Sequence, residues 1–202
     1  MSKKQSVIYK HPLIYDAIMI LLYGPSTYFS RFKSLAHKIP SNSRTLELCC
    51  GPARLKNYLE QGHYTGLDIS PQFIEKGKRR GLDVRLFNLL QDELPKEDFD
   101  MVVMQAGLYQ FIPHHEAIVE KMFMCSNRYV LIAEPIRNLA QTKNPLLKKI
   151  SSKLTDPGTG NMPSRFNDES LTDFFRSYSS KLLETSLIPG GRERLFLFDK
   201  TL

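Results

Sequence analysis

The spacing of apolar side chains changes period several times along the chain. The first forty residues carry apolar and aromatic positions at helical spacing, among them Tyr15, Tyr23, Tyr28, Phe29 and Phe32. Gly24-Pro25-Ser26 divides this stretch into two helices, because proline has no N–H and crowds the preceding turn. Thr45 to Cys50 is a short apolar run that stops at Gly51-Pro52 and predicts a buried strand, with a helix over Ala53 to Gln61 that Gly62 closes. Tyr64 to Ile69 predicts a second strand. Ser70-Pro71 then starts a helix that Gly81 ends. Val84 to Phe87, Met101 to Met104 and Tyr129 to Ala133 predict three more strands, with Pro113 to Cys125 helical between the last two. Strands alternating with helices form a parallel sheet covered on both faces.

The last part of the chain breaks this alternation. Asn167-Asp168 caps a helix through Leu171, Phe174 and Phe175, and two β-like runs follow, Lys181 to Leu187 and Arg194 to Phe198, around Gly190-Gly191. The pattern predicts a Rossmann-like α/β fold: a mostly parallel seven-stranded sheet, helices on both faces, and a C-terminal antiparallel hairpin.

Composition places the 202 residues among globular single domains, with 42% hydrophobic and 24% charged side chains. The apolar stretch Ala17 to Tyr23 is too short to span a bilayer, and no signal-peptide pattern opens the chain, so a cytoplasmic address is expected. Cys49, Cys50 and Cys125 fit a reducing compartment, no Cys/His spacing resembles a zinc site, and no metal is expected. The net charge of +7 admits an anionic partner such as nucleic acid. Its basic residues are spread along the chain, grouped only at Lys76, Lys78, Arg79, Arg80 and at Lys148, Lys149, Lys153. A solvated helix face accounts for such groups as readily as a binding patch does.

The chemistry concentrates at Glu47-Leu48-Cys49-Cys50-Gly51-Pro52-Ala53, a strand-to-helix turn, and at Asp68, the tip of the next strand. Open α/β sheets bind ligands outside the carboxyl ends of their strands, where strand order reverses. Gly51 allows a sharp turn and close backbone approach, small Ala53 allows close packing behind it, and a carboxylate at Asp68 is placed to accept hydrogen bonds from both ribose hydroxyls. A nicotinamide dinucleotide would need a phosphate cradle of free N–H groups, usually G-x-G-x-x-G. Here Cys49 stands at the first glycine and Pro52 removes a donor, so the loop suits a nucleoside ligand that carries no phosphate.

On these residues the sequence resembles the class I S-adenosylmethionine-dependent methyltransferases of the small-molecule type. Glu47, Cys49, Gly51 and Ala53 stand in the places of that family's acidic residue and three glycines. Asp68 matches its ribose-binding acid and Ile69 the residue packed on adenine, while Asn88 and Leu89 fall where it keeps an acid near the adenine amino group. Phe99 to Val103 resembles its fourth-strand motif, which would bring Gln105-Ala106 beside the sulfonium, and Leu108 to Ile112 its aromatic segment. The resemblance implies S-adenosylmethionine as cofactor. It also implies an N-terminal helical lid over residues 1–40, a cofactor-binding core over 41–136, an acceptor-side insertion over 137–180, and a closing hairpin over 181–202.

A small-molecule acceptor is the expected substrate, methylated by in-line displacement; RNA or another polyanion, or a non-catalytic binding module on the same fold, are the alternatives. A hydroxyl acceptor would need a base, for which Tyr109, His114 and His115 are the candidates by motif position, and Glu134 is either a base or a strand terminator. Tyr15 and Tyr23 either cover the cofactor or belong to the core. Thr155 to Gly160 either lines the acceptor site or is an ordinary exposed loop.

Overall fold

The computed structural model describes residues 12–95, 98–137 and 165–202. Helices α1 (Pro12–Tyr23) and α2 (Pro25–Ala36) precede the sheet. The alternating part comprises β1 (Arg44–Leu48), β2 (His63–Asp68), α3 (Pro71–Arg79), β3 (Asp83–Leu86), β4 (Phe99–Gln105), α4 (His115–Cys125) and β5 (Ser126–Pro135). Helix α5 (Asp168–Phe175) and strands β6 (Leu182–Leu187) and β7 (Glu193–Asp199) close the chain.

The seven strands lie in one sheet in the order β3-β2-β1-β4-β5-β7-β6. Pairing is parallel from β3 to β5 and antiparallel at β5–β7 and β6–β7. The predicted hairpin is present and pairs with β5 through β7, Leu131 lying opposite Leu197. Strands β2 and β4 lie on opposite sides of β1, so the order reverses there and a crevice opens above the carboxyl ends of β1 and β4.

The pleat divides the core into two layers. Val102, Met104, Val130, Ile132, Phe196 and Phe198 face α4 and α5, packing on Val119, Met122 and Phe175. Met101, Val103, Leu131, Ala133, Leu195 and Leu197 face the other way, onto Tyr28, Phe32 and Leu35 of α2. Covering both faces explains why the central strands read as near-continuous apolar runs. Edge strand β6 instead alternates half-buried and exposed positions.

Helix ends follow their sequence signals unevenly. Asn167 and Ser170 form a reciprocal capping box at α5. Ser70 occupies the N-cap position of α3 without a side-chain capping bond; its N–H donates to Asp68 instead.

One predicted element is absent. Residues 53–61 form no α-helix, only a 3-10 turn over Leu55–Tyr58. Ala53 is left-handed at φ 53°, which no helix accommodates, and the Pro52 carbonyl accepts from the Arg80 guanidinium at 3.0 Å. Arg80 also holds Asn57 at 2.6 Å, so the segment is fastened to the end of α3 and does not wind on itself. Gly62 therefore does not cap a helix. It turns the chain into β2 at φ 108°, where a Cβ would lie 2.4 Å from the Ser43 carbonyl oxygen.

Candidate active site

A cavity of about 200 Å³ occupies the crevice. Its floor is the carboxyl ends of β1, β2 and β4, and α1 and α2 supply one wall through Tyr15, Tyr23 and Arg31 among others. Of the nine residues the sequence nominates for cofactor contact, eight line it: Glu47, Cys49, Gly51, Asp68, Ile69, Asn88, Leu89 and Gln105. Ala53 does not. It is fully buried behind the turn, in a cluster with Cys50, Tyr64, Ile74 and Val84.

The turn after β1 is built from alternating left-handed residues, Cys49 at φ 55°, Gly51 at 51° and Ala53 at 53°. Glycine adopts this region freely; cysteine and alanine do so at a cost of about 1–2 kcal/mol each. Asp68 holds the turn in place. One carboxylate oxygen accepts the Gly51 N–H at 2.8 Å and the other the Ser70 N–H at 2.8 Å, tying the tips of β1 and β2 together. A carboxylate has about four acceptor sites, so these bonds leave Asp68, which lines the cavity, capacity for a further donor. Burial pushes the Asp68 carboxyl up, and the N–H groups of Ser70, Gly51 and Ile69 pull it back down.

Glu47 sits one strand away and accepts the Tyr64 hydroxyl. Burial pushes it up to about 8, against the Tyr64 hydrogen bond and with help from the nearby Asp68 charge. Room for this pair comes from Gly66, where a Cβ would lie 2.9 Å from both the Cys50 sulfur and the Tyr64 oxygen. Asn88 is bound up in its own turn: its side-chain oxygen accepts the Leu90 N–H at 3.1 Å and its N–H donates to Asp92 at 2.7 Å. Ile69 and Leu90 remain more than half exposed on the cavity's rim, an apolar pair at the β2 end.

The β4 side has a different character. Gln105 donates to Glu193 at 3.0 Å, Tyr23 donates to the same carboxylate at 3.1 Å, and Arg31 pairs with it at 2.7 Å. The Arg31 guanidinium lies 4.4 Å from the Tyr23 ring centroid. All four side chains are buried. Sequence reasoning missed Arg31 and Glu193. Arg31 had a legible signal, a charged residue on the apolar stripe Tyr28, Phe32, Leu35 of α2; Glu193 reaches the site only through the hairpin.

Glu134 is neither a free base nor a strand terminator. It is fully buried in β5, and it accepts the N–H groups of Gly107 and Leu108 at 2.7 Å each and of Tyr109 at 3.4 Å. Burial pushes its carboxyl up to about 8 against these three donors. The carboxylate thereby fixes the turn that follows β4 and carries Ala106 and Tyr109 into the cavity wall.

Tyr109 lines the cavity, with the Arg165 guanidinium 4.4 Å from its ring centroid, and burial raises its pKa. His114 and His115 are not among the lining residues. His114 is exposed; His115 packs against Phe166 and Phe174, and burial lowers its pKa. Burial raises the Cys49 and Cys50 thiols well above their usual value, as for small apolar residues. In the basic group on α3, Lys76 meets Asp16, Arg79 meets Glu75 and Arg80 is committed to Pro52 and Asn57, so most of that charge is used within the fold. Lys148, Lys149, Lys153 and the Thr155–Gly160 segment lie outside the described residues. Among the described residues no group of His, Cys, Asp or Glu is placed to hold a metal ion, and no helix is long and apolar enough to cross a membrane.

Comparison with known proteins agrees with this architecture. Residues 45–127 match the family model described as a methyltransferase domain. Over 80 residues the chain is 34% identical to trans-aconitate 2-methyltransferase of Mycobacterium tuberculosis, a match covering 38% of this chain and only 30% of that relative's length. A methyltransferase from Thermotoga maritima superposes with a TM-score of 0.66 at 16% identity over 96% of this chain and 98% of the other. Magnesium protoporphyrin IX methyltransferase from Synechocystis, solved with bound S-adenosylhomocysteine, does so at 0.63 and 13% identity over 86% and 84%. Residues 45–127, from β1 through α4, thus match a methyltransferase domain, and the strand order with its closing antiparallel pair is similar to the fold of solved S-adenosylmethionine-dependent methyltransferases.

Proposed function

We propose that this protein transfers a methyl group from S-adenosylmethionine to a small-molecule acceptor. One observation carries the reading: Asp68 and Glu47, from adjacent strands, line one cavity on either side of a turn in which Pro52 leaves no phosphate cradle. The residues fit the group. Asp68 offers lone pairs to ribose hydroxyls, Ile69 and Leu90 offer apolar surface to a purine, and Glu47 offers a carboxylate to an amino group. Bound there, S-adenosylmethionine supplies an electrophilic methyl on a sulfonium.

The chain's own task is then positioning and exclusion of water. Glu134 holds the Ala106–Tyr109 turn, and the Arg31–Glu193–Gln105–Tyr23 cluster fixes the wall opposite it. Beyond β4 the ionisable lining side chains are tyrosines and arginines, and burial raises Tyr23 and Tyr109, so they serve as donors more readily than as bases. That supports an acceptor that carries no proton on its nucleophile or gives it to water. The relative's name, trans-aconitate 2-methyltransferase, is in keeping with a small acceptor. Calorimetric titration tests the reading: S-adenosylmethionine and S-adenosylhomocysteine bind saturably and NADH does not, whereas binding of NADH alone would overturn it.

A further inference from the structure

The cavity is divided by charge. Its β1–β2 end holds the acids Glu47 and Asp68; its β4–β5 end holds Arg31, Arg137 and Arg165. Three strand spacings of about 4.8 Å separate β2 from β5 and two separate β1 from β5, about 14 and 10 Å, and neither acid forms an ion pair with these arginines. Arg31 is compensated locally, by Glu193 at 2.7 Å, and Arg54, also on the cavity, pairs with Asp16. Arg137 and Arg165 form no ion pair with any other described residue. Asp168, the acid whose charge Arg137 senses, is already gripped by both nitrogens of Arg194.

Both arginines are well set for a planar oxyanion. Arg165 lies 4.4 Å from the Tyr109 ring centroid and hydrogen-bonds that side chain, which limits its freedom, while a guanidinium's five N–H donors exceed what one hydroxyl can take up. Arg137 lies two residues past the end of β5, which β4 and β7 hold in register from both sides, and its N–H donates to the Arg192 carbonyl at 3.4 Å. A guanidinium presents a fixed fork of donors that matches a carboxylate or phosphate two bonds at a time.

Resting on the methyltransferase reading, we propose that the acceptor is a small acid bound through an oxyanion by Arg137 and Arg165, beyond the β4 tip. A carboxylate and a phosphate monoester share this chemistry. The acceptor site then selects by charge, and the binding weakens as salt rises.

The test is titration of citrate, trans-aconitate and glycerol phosphate, with the neutral trimethyl ester of citrate as control, into the protein with and without S-adenosylhomocysteine. At least one acid binds, the ester binds at least tenfold more weakly, and Arg137→Gln and Arg165→Gln each weaken the acid at least fivefold without changing S-adenosylhomocysteine affinity. Lys33→Gln, an equal charge change at an exposed position outside this cavity, leaves acid binding unchanged. Preference for glycerol phosphate over the carboxylates identifies phosphate as the source of the oxyanion, and the reverse identifies a carboxylate. If no acid binds, if the ester binds as well as citrate, or if all three variants behave alike, the proposal is wrong. Failure of S-adenosylhomocysteine to bind while the acids still bind would instead overturn the methyltransferase reading alone.

Discussion

Removing the Glu134 side chain exposes the energetics of the turn behind the active-site wall. Glu134→Ala leaves the N–H groups of Gly107 and Leu108, each now 2.7 Å from a carboxylate oxygen, buried without an acceptor, and strips a weaker third bond from Tyr109 at 3.4 Å. An unsatisfied buried donor costs about 1–3 kcal/mol, so two strong ones sum to about 2–6 kcal/mol. Relief of the carboxyl's own desolvation, evident in its upward shift to about 8, returns part of this. The expected net loss is about 3 kcal/mol, or about 6–12 °C in Tm for a domain of this size. Glu134→Gln keeps one oxygen where both short bonds converge and sets its amide nitrogen only against the long one, so it costs about 1 kcal/mol. Urea denaturation with matched m-values measures both. An alanine variant within about 1 kcal/mol of wild type, or a glutamine variant as unstable as the alanine one, would refute the reasoning.

Two further outcomes follow from the buried charges. Glu47 and Glu134 are each raised from 4.5 to about 8, so the folded state holds protons that the unfolded chain has released, and stability falls as pH rises through that window. Between pH 6.5 and 8, above the region where the lowered His115 acts in the opposite sense, the unfolding free energy from urea denaturation should drop by of order 1 kcal/mol per pH unit, and Glu47→Gln/Glu134→Gln should flatten the slope; a flat wild-type profile counts against both assignments. Arg31→Met should cost about 3 kcal/mol by leaving Glu193 without its cation, while Arg31→Met/Glu193→Met recovers part of the loss; strict additivity in that double-mutant cycle would mean the pair is not coupled.

Strand existence was legible because central strands buried on both faces leave unbroken apolar runs, as at Met101–Met104 and Val130–Ala133, and the β6–β7 hairpin because Gly190-Gly191 separates two β-like runs. The helix over residues 53–61 was misread for a physical reason. Its local sequence permits a helix, but Arg80, distant in sequence, takes the Pro52 carbonyl, and Ala53 is held left-handed. The first-strand turn and Asp68 stood out because glycine, proline and a strand-end acid are local signals. The clamp at Glu134 and the partnership of Arg31 with Glu193 depend on contacts across the sheet, and neither follows from spacing alone. His114 and His115 were drawn in by their position after the aromatic segment, yet the helix they open turns them away from the cavity lining.

The central claim is that Asp68, anchored between Gly51 and Ser70, holds a ligand's ribose. Its most direct test is the calorimetric affinity of Asp68→Ala for S-adenosylhomocysteine beside that of wild type. The account predicts a loss of about 1–3 kcal/mol, roughly fivefold to 150-fold in Kd, with the fold intact by circular dichroism. An affinity equal to wild type would contradict it.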